Sequence, residues 1–172
     1  MKITFVVWDN YSAPLKRAAE AEGVDIEIFT VRSLEDVPGK IEDFKRSAPE
    51  SDVLYLNRTT HRFWDELGSF IVSLKDSKRI ISVGTDPTYW GWSTVEPEVA
   101  IAAYKYLSSA GEENYRRMLA YLDRTLGGAD RTVLPPLDIP WEGLVHPRAG
   151  RRMFLTTDEY LKWYGLRPEG PW

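Results

Sequence analysis

Short apolar runs alternate with helical patterns along the first 128 residues of the chain. Four runs have the length and composition of buried β-strands, namely Ile3 to Trp8, Asp25 to Val31, Val53 to Asn57 and Arg79 to Gly84. Apolar residues at helical spacing lie between the runs, and the clearest stripe is Phe63, Leu67, Phe70, Ile71 and Leu74. The alternation predicts an α/β fold on an open parallel sheet with helices on both faces.

Local signals predict where the helices begin and end. Ser12 is a suitable N-cap for the helix after the first strand, and Gly23 is placed to end it. Pro97 opens a helix that we expect to run to about Ser108, and the glycine pair at Gly127 ends the next one. These residues are therefore expected to form a flavodoxin-like or Rossmann-like domain with strand order 2-1-3-4.

The character of the sequence changes after residue 128. Prolines exclude a continuous helix up to Gly150 and leave an extended segment with apolar anchors at Val133, Leu134, Leu137, Ile139 and Trp141. Thr156 and Glu159 form a capping-box pattern that predicts a last short helix, ended by Gly165. We predict an α/β domain over 1–128, and over 129–172 an extended proline-rich linker and short helix leading into a downstream domain outside this chain.

Composition and charge narrow the classes of partner. The 172 residues are 43% hydrophobic and carry a formal net charge of -4, with a pI near 5.3. Nucleic-acid binding requires a concentrated basic surface, and no such surface is visible in the sequence. We therefore expect a globular chain without a nucleic-acid partner.

Targeting and metal chemistry are restricted as well. The apolar run at the amino terminus is too short for a signal peptide, and no stretch approaches the roughly 20 apolar residues that cross a bilayer. The chain has no cysteine and only two histidines, His61 and His146, so it offers no thiolate and little for a metal site. We expect a cytoplasmic protein with no membrane span and no metal-binding residues in this chain.

Candidate binding residues follow the strands. In an open parallel sheet, ligands bind beyond the carboxyl ends of the strands, near the point where strand order reverses. The loops there combine polar and aromatic side chains, and the candidate ligand-binding residues are Asp9, Asn10, His61, Asp86, Trp90 and Trp92. Tryptophan faces suit a planar aromatic ligand, and the polar groups would fix its edge.

These candidates also have a structural interpretation. Tyr89, Trp90 and Trp92 could plug the end of the sheet, because most buried aromatic side chains serve packing. His61 could start a helix by bonding to nearby backbone, and Asp86 precedes a proline and suits a turn. The sequence alone leaves both interpretations open.

Familiar catalytic patterns are missing. The first loop has no glycine-rich phosphate-binding stretch, so a dinucleotide site is not expected. Asn57 stands where a phosphoacceptor aspartate would end the third strand, and no serine lies in a nucleophile-elbow context. We predict no catalytic residue in this chain.

The most distinctive part of the sequence lies near its end. It comprises Pro140-Trp141-Glu142-Gly143-Leu144-Val145-His146-Pro147, then Phe154, Tyr160-Leu161-x-Trp163-Tyr164 and the final Pro171-Trp172. In this order the segments resemble the linker that follows the first domain in the family formed by the large subunit of cobaltochelatase and the porphyrin-binding H subunit of magnesium chelatase. The preceding part of the chain resembles the family's first domain more loosely.

The resemblance implies a function and a set of partners. Members are ATP-dependent chelatases whose large subunit binds a tetrapyrrole and cobalt or magnesium, while separate AAA+ ATPase subunits supply energy. This chain would be the amino-terminal portion of that subunit, and a cobaltochelatase-like member would act in cobalamin biosynthesis. The implied partners are a corrinoid precursor or porphyrin, the AAA+ subunits and the remainder of the large subunit.

The same resemblance limits what this chain itself contributes. The family's metal and macrocycle ligands are expected largely outside it, so no catalytic residue is carried over and no cofactor is expected in this chain. His146 and Pro147 match the linker pattern and are interpreted as structural residues.

A second class of function stays open. The chain could be a stand-alone flavodoxin-like module that binds a ligand such as a flavin, with Tyr89 and Trp90 as stacking walls. It could also be a protein-interaction domain that docks through its aromatic tail. The missing phosphate-binding loop weighs against a flavin.

Overall fold

The computed structural model describes residues 1–137, 142–150 and 152–165. The chain divides into two compact units, Met1–Leu137 and Asp138–Trp172. The predicted anchors Ile139 and Trp141, and the terminal Pro171-Trp172, lie outside the described residues. The domain boundary after residue 128 stays a prediction.

A four-stranded parallel sheet lies at the centre of the first unit. Its strands are β1 (Lys2–Val7), β2 (Asp25–Thr30), β3 (Val53–Asn57) and β4 (Arg79–Val83). They are ordered β2-β1-β3-β4, and every neighbouring pair is parallel. The predicted open parallel sheet and its strand order are confirmed.

The strand register brings the carboxyl ends of the strands to one edge. Val7 lies opposite Thr30, and Asn57 lies opposite Val83. The strands that end at Val7, Thr30 and Val83 stop one residue earlier than predicted, because the backbone leaves the ladder there to enter a helix or loop. This edge is where the predicted loops emerge.

Helices cover both faces of the sheet. One face carries α1 (Asp9–Glu22), α5 (Pro97–Ser108) and α6 (Glu112–Thr125). The other carries α2 (Val31–Asp36), α3 (Lys40–Ser47) and α4 (Phe63–Ser73). Because successive strand residues point to opposite faces, the sheet supplies two separate apolar cores.

The helix ends agree with most of the sequence signals. α5 spans the predicted limits, and Gly23 ends α1 with a left-handed φ of 63°. The prediction of Ser12 as an N-cap is wrong, because α1 begins at Asp9 directly after β1, with Trp8 in the N-cap position. The helix α2 shows no clear sequence periodicity because it is only 6 residues long.

The extended segment that follows α6 packs on helices of the first unit. The Tyr106 hydroxyl donates a hydrogen bond to the Leu134 carbonyl at 2.7 Å. The fully buried Asn114 amide accepts from the Leu137 N–H at 2.7 Å and donates to the Leu137 carbonyl at 3.1 Å. These helices therefore hold the extended backbone as far as Leu137.

The second unit contains a small hairpin that the sequence pattern did not predict. Its strands are β5 (Leu144–Val145) and β6 (Met153–Phe154), which pair antiparallel. His146 lies directly after β5, and its Nδ1 accepts a hydrogen bond from the Arg148 N–H at 3.1 Å. This local backbone contact agrees with the structural interpretation of His146.

The helix α7 (Thr157–Tyr164) follows the hairpin. The Thr156 hydroxyl accepts a hydrogen bond from the Glu159 N–H, and Gly165 ends the helix with a φ of 85°. The predicted capping signals are therefore confirmed, although the Glu159 carboxylate accepts from the Leu155 N–H. Across the described parts of the chain, no helix is long and apolar enough to span a membrane.

Candidate functional site

A cleft of about 250 Å³ opens at the carboxyl edge of the sheet. It lies between the loops after β1 and β3, which are neighbouring strands. The chain continues from β1 to β2 on one side of the sheet and from β3 to β4 on the other. Its lining is aromatic and polar and comprises Trp8, Tyr11, Asn57, Arg58, Thr59, Thr60, Thr85, Tyr89, Tyr104 and Ser108. This position is the one that parallel α/β sheets use for ligands.

None of the six predicted binding residues lines this cleft. Asp9 and Asn10 are exposed in the first turn of α1, and the Asp9 carboxylate accepts a hydrogen bond from the Arg32 N–H at 3.2 Å. The cleft is lined instead by their neighbours Trp8 and Tyr11. The predicted loops therefore reach the site, but adjacent side chains face it.

His61 belongs to a small hydrogen-bonded group beside the cleft. Its Nδ1 lies 2.9 Å from the Thr59 hydroxyl, which also accepts a hydrogen bond from the Trp64 indole at 3.0 Å. The His61 ring meets the Trp8 ring edge-on, with centroids 5.3 Å apart. His61 therefore supports Trp8, which lines the cleft.

Asp86 and Trp90 shape the loop after β4. The Asp86 carboxylate accepts hydrogen bonds from the N–H and the hydroxyl of Thr88, which agrees with the turn interpretation. These bonds lower the pKa of Asp86. The Trp90 indole donates to the Gly84 carbonyl at 3.0 Å, and its ring meets Tyr104 edge-on. Trp90 thus supports Tyr104, which lines the cleft.

Trp92 packs on the opposite side of the sheet from Trp90. It contacts the apolar core under α4, whereas Trp90 contacts the core under α5. The Trp92 ring lies against α4 at Gly68, where an added methyl group would be in ordinary van der Waals contact with it at 3.4 Å. The two tryptophans therefore do not form a pair of walls around one ligand.

The Arg58 side chain lines the cleft and also stacks on the ring of Trp92. Its Cζ lies 3.5 Å from the Trp92 ring centroid and 4.7 Å from that of Tyr89. Its Nε is buried and has no hydrogen-bond partner among the described residues. Burial lowers the pKa of Arg58, although a guanidinium stays charged at physiological pH.

Tyr11, Tyr55 and Tyr115 form a group that we call the tyrosine floor: Tyr11 lines the cleft, and the other two are buried in the core against which Tyr11 packs. Tyr11 meets Tyr115 edge-on, and the Tyr55 hydroxyl donates to the Ala103 carbonyl at 3.2 Å. Burial raises the pKa of all three hydroxyls, and that of Tyr115 reaches about 12. The floor is therefore neutral at physiological pH.

The sequence contained a signal for some lining residues and none for others. Arg58 and Thr60 directly follow β3, so the rule that ligands bind after strands places them at this edge. Tyr104 and Ser108 come from the last turns of α5, and only tertiary packing brings them to the cleft. Within the parts of the chain that the structure describes, no cluster of His, Cys, Asp or Glu could hold a metal ion.

Fold and cleft together define an α/β domain with a cleft at the switch point of a parallel sheet. A sequence model of the family described as CobN/Magnesium Chelatase matches residues 104–171. These residues therefore form a CobN/magnesium chelatase-family portion of the chain. The resemblance inferred from the linker is confirmed.

Two relatives from one organism illustrate the wider similarity. The uncharacterized protein MJ1441 of Methanocaldococcus jannaschii is 27% identical over 167 residues, which cover 94% of this chain and 12% of that protein. The uncharacterized protein MJ0908 of the same organism is 31% identical over 70 residues, or 41% of this chain and 5% of that protein.

A solved structure supports the fold. The catalytic subunit of cobaltochelatase from Mycobacterium tuberculosis matches 85% of this chain with a TM-score of 0.57 and 19% sequence identity. At that identity the match shows a shared fold. This chain spans 12% of that subunit.

Proposed function

We propose that this chain is the amino-terminal domain of the tetrapyrrole- and metal-binding large subunit of an ATP-dependent chelatase. The expected whole is cobaltochelatase-like and acts in cobalamin biosynthesis, with AAA+ subunits as partners and cobalt or magnesium as the inserted metal. The observation that carries this proposal is the family match over residues 104–171, which includes all of α6. The shared fold with a cobaltochelatase catalytic subunit supports it.

The role proposed for this domain is to help hold the macrocycle at the carboxyl edge of the sheet. Trp8, Tyr11, Tyr89 and Tyr104 give the cleft aromatic surfaces, which suit a planar conjugated ring. The cleft is neutral at its floor and contains one guanidinium. Such a surface suits an organic anion with aromatic character better than a phosphate.

The volume of the cleft limits that role. Cavities that bury a drug-sized ligand usually measure roughly 300 to 1,000 Å³, and this one measures about 250 Å³. A tetrapyrrole with its side arms is at least drug-sized, so only part of it would enter. The domain is therefore proposed to contact one edge of the macrocycle, with the rest of the subunit enclosing the remainder.

Fluorescence titration tests the proposal directly. The chain contains 7 tryptophans, and Trp8 and Trp64 lie at or near the cleft. Titration with a porphyrin or a cobyrinic acid derivative is expected to quench this emission in a saturable way. If neither ligand binds in a saturable way, the macrocycle role is contradicted and an interaction domain is favoured.

A second experiment addresses the chemistry. No phosphate-binding loop is present in the sequence, and the expected metal ligands of the family lie largely outside this chain. The isolated chain is therefore expected to insert neither cobalt nor magnesium into a tetrapyrrole. Absorption spectroscopy monitors insertion. Metal insertion by the chain alone would contradict the expectation that the metal ligands lie outside it.

A further inference from the structure

Within the described part of the chain, Arg58 is held by aromatic rings and not by an opposite charge. Its Cζ lies over Trp92 at 3.5 Å, over Tyr89 at 4.7 Å and over Trp64 at 5.8 Å. Stacking of this kind fixes the plane of the guanidinium and leaves the N–H groups at its edge available. The side chain is therefore oriented before any ligand binds.

The guanidinium has unused hydrogen-bonding capacity. Among the described residues, Arg58 has no carboxylate within 4.0 Å, and its buried Nε has no acceptor. Asp65 and Asp86 act on it only through their electric fields. A partly buried cation without a hydrogen-bonded counter-ion is costly, so an anion that pairs with it would be favoured.

Other groups of the cleft add neutral hydrogen-bonding capacity. Thr60 and Thr85 line it, and within the described residues their hydroxyls make no hydrogen bond with the protein. Asn57 also lines it, is only 7% exposed, and uses its backbone in the sheet. The Thr59 hydroxyl, by contrast, is already bonded to His61 and Trp64.

We propose that this cleft is a carboxylate site in which Arg58 pairs with the carboxylate of a propionate-like or acetate-like arm of the ligand. The inference rests on the proposed function, because tetrapyrroles and corrinoid precursors carry such arms. It also accounts for the size of the cleft, since about 250 Å³ suits an arm better than the whole ring. The ring would then lie outside, against the exposed Trp8.

Arginine suits this task because its planar fork can donate two parallel hydrogen bonds to one carboxylate. A lysine would keep the charge but lose that geometry. Arg62 provides a matched control, because it lies in the same loop, is exposed, and forms no ion pair with the described residues.

The first experiment uses phenylpropanoate, a small aryl carboxylate, titrated into the chain by NMR. We expect Arg58→Met to weaken binding by about tenfold or more and Arg58→Lys to weaken it less, while Arg62→Met leaves it unchanged. Circular dichroism and thermal unfolding of each variant identify any loss of folding. No binding to the unmodified chain, or equal binding by the folded Arg58→Met and Arg62→Met variants, would overturn the carboxylate site.

The second experiment separates this inference from the proposed function. Deuteroporphyrin, a dicarboxylate, is compared with its dimethyl ester in the same buffer and detergent. The dicarboxylate is expected to bind about tenfold tighter to the unmodified chain and to Arg62→Met, and this preference should disappear in Arg58→Met.

The outcomes of the second experiment are distinct. Equal binding of dicarboxylate and ester by the unmodified chain would overturn the role of Arg58 and leave the macrocycle proposal standing. If neither porphyrin binds but phenylpropanoate binds in an Arg58-dependent way, the macrocycle proposal fails and the carboxylate site stands.

Discussion

Two concave surfaces of the first unit differ in how their charges are satisfied. A groove of about 490 Å³ runs beside the edge strand β2 and is lined by many charged side chains, including Lys2, Glu27, Lys40, Asp43 and Arg46. The cleft at the carboxyl edge of the sheet is about half that size and contains Arg58 among aromatic rings. The larger surface is the more charged, yet it is the weaker candidate for a ligand.

The reason lies in the partners of each charge. In the β2 groove, Lys2 pairs with Glu27 at 3.2 Å, and Asp43 pairs with Lys40 at 3.0 Å and with Arg46 at 3.4 Å. These pairs are solvated and already matched, so each contributes little and offers little to a ligand. In the cleft, the Arg58 guanidinium is stacked and partly desolvated, and no carboxylate of the described residues pairs with it. Unmet hydrogen-bonding capacity therefore distinguishes the two surfaces better than size or charge does.

The substitution Gly84→Ala, next to the cleft residues Arg58 and Tyr89, should have the largest effect on stability and binding. A methyl group at Gly84 would lie 2.8 Å from the Arg58 carbonyl oxygen and 2.7 Å from the Tyr89 ring, so Gly84→Ala must displace backbone as well as a side chain. We expect a loss of stability of about 3 kcal/mol and a loss of ligand binding. Urea denaturation and porphyrin titration measure both.

Gly91 supplies the control for that substitution. It lies in the same loop, and a methyl group added there would meet nothing within 4 Å. Gly91→Ala should therefore leave stability and binding nearly unchanged. A loss in Gly91→Ala equal to that in Gly84→Ala would mean that the whole loop, and not the cleft wall, is sensitive.

Removal of the Trp90 indole should have the next largest effect. Trp90 supports Tyr104 and bonds to the Gly84 carbonyl, so Trp90→Ala should weaken macrocycle binding by about 1 to 3 kcal/mol. Trp141→Ala, at a position outside the described residues, is expected to leave binding unchanged, because the sequence predicts that this residue anchors the linker. Equal losses in fluorescence titrations would favour a docking role for both tryptophans.

The tyrosine floor of the cleft should make the fold sensitive to alkali. The pKa of Tyr115 is about 12 in the folded chain against 10.0 for the free group, because burial disfavours the phenolate. Its contribution to stability is fully present below about pH 10 and is lost as the pH rises toward 12. Tyr115→Phe should therefore reduce the alkaline loss of stability, as measured by urea denaturation across this range.

The matching control is Tyr164→Phe, in the exposed helix α7 of the second unit. It removes the same hydroxyl from a side chain that has no place in the floor of the cleft. An unchanged alkaline profile in Tyr115→Phe would show that the floor does not govern this sensitivity.

A change in the β2 groove should have the smallest effect. The hydrogen bond from Lys40 lowers the pKa of Asp43, so its stabilising pairs are present at neutral pH and are lost as the pH falls through that lowered pKa. Asp43→Asn should cause a small loss of stability at neutral pH that disappears in acid and at high salt. Ligand binding should be unaffected, and impaired binding would contradict the distinction between the two surfaces.

The sequence predicted the sheet well because its signals are local and repeated. Four apolar runs separated by helical stripes can bury their side chains only in a layered α/β arrangement, and Gly23 and Gly165 mark helix ends by their left-handed backbone. The hairpin of the second unit gave no signal, because each strand is only 2 residues long. Short pairings depend on neighbours and not on a periodic pattern.

The candidate site was predicted at the level of loops but not of side chains. Asp9, His61, Asp86 and Trp90 each lie beside a residue that lines the cleft. A difference of one residue turns the side chain in a new direction at the start of a helix or loop, and local sequence does not specify that direction. Binding by the six predicted residues stays a prediction.

What the sequence determined by itself was the class of fold, the strand order and the family resemblance of the carboxyl-terminal segments, all of which rest on local patterns. What only the tertiary structure decided was which side chains share the cleft. Tyr104 and Ser108 reach it from α5, and Trp90 and Trp92 separate onto opposite faces of the sheet. The stacking of Arg58 on Trp92, 34 positions away in the sequence, brings the segments after β3 and β4 together. Packing between distant segments sets these contacts, and no short window of sequence contains that information.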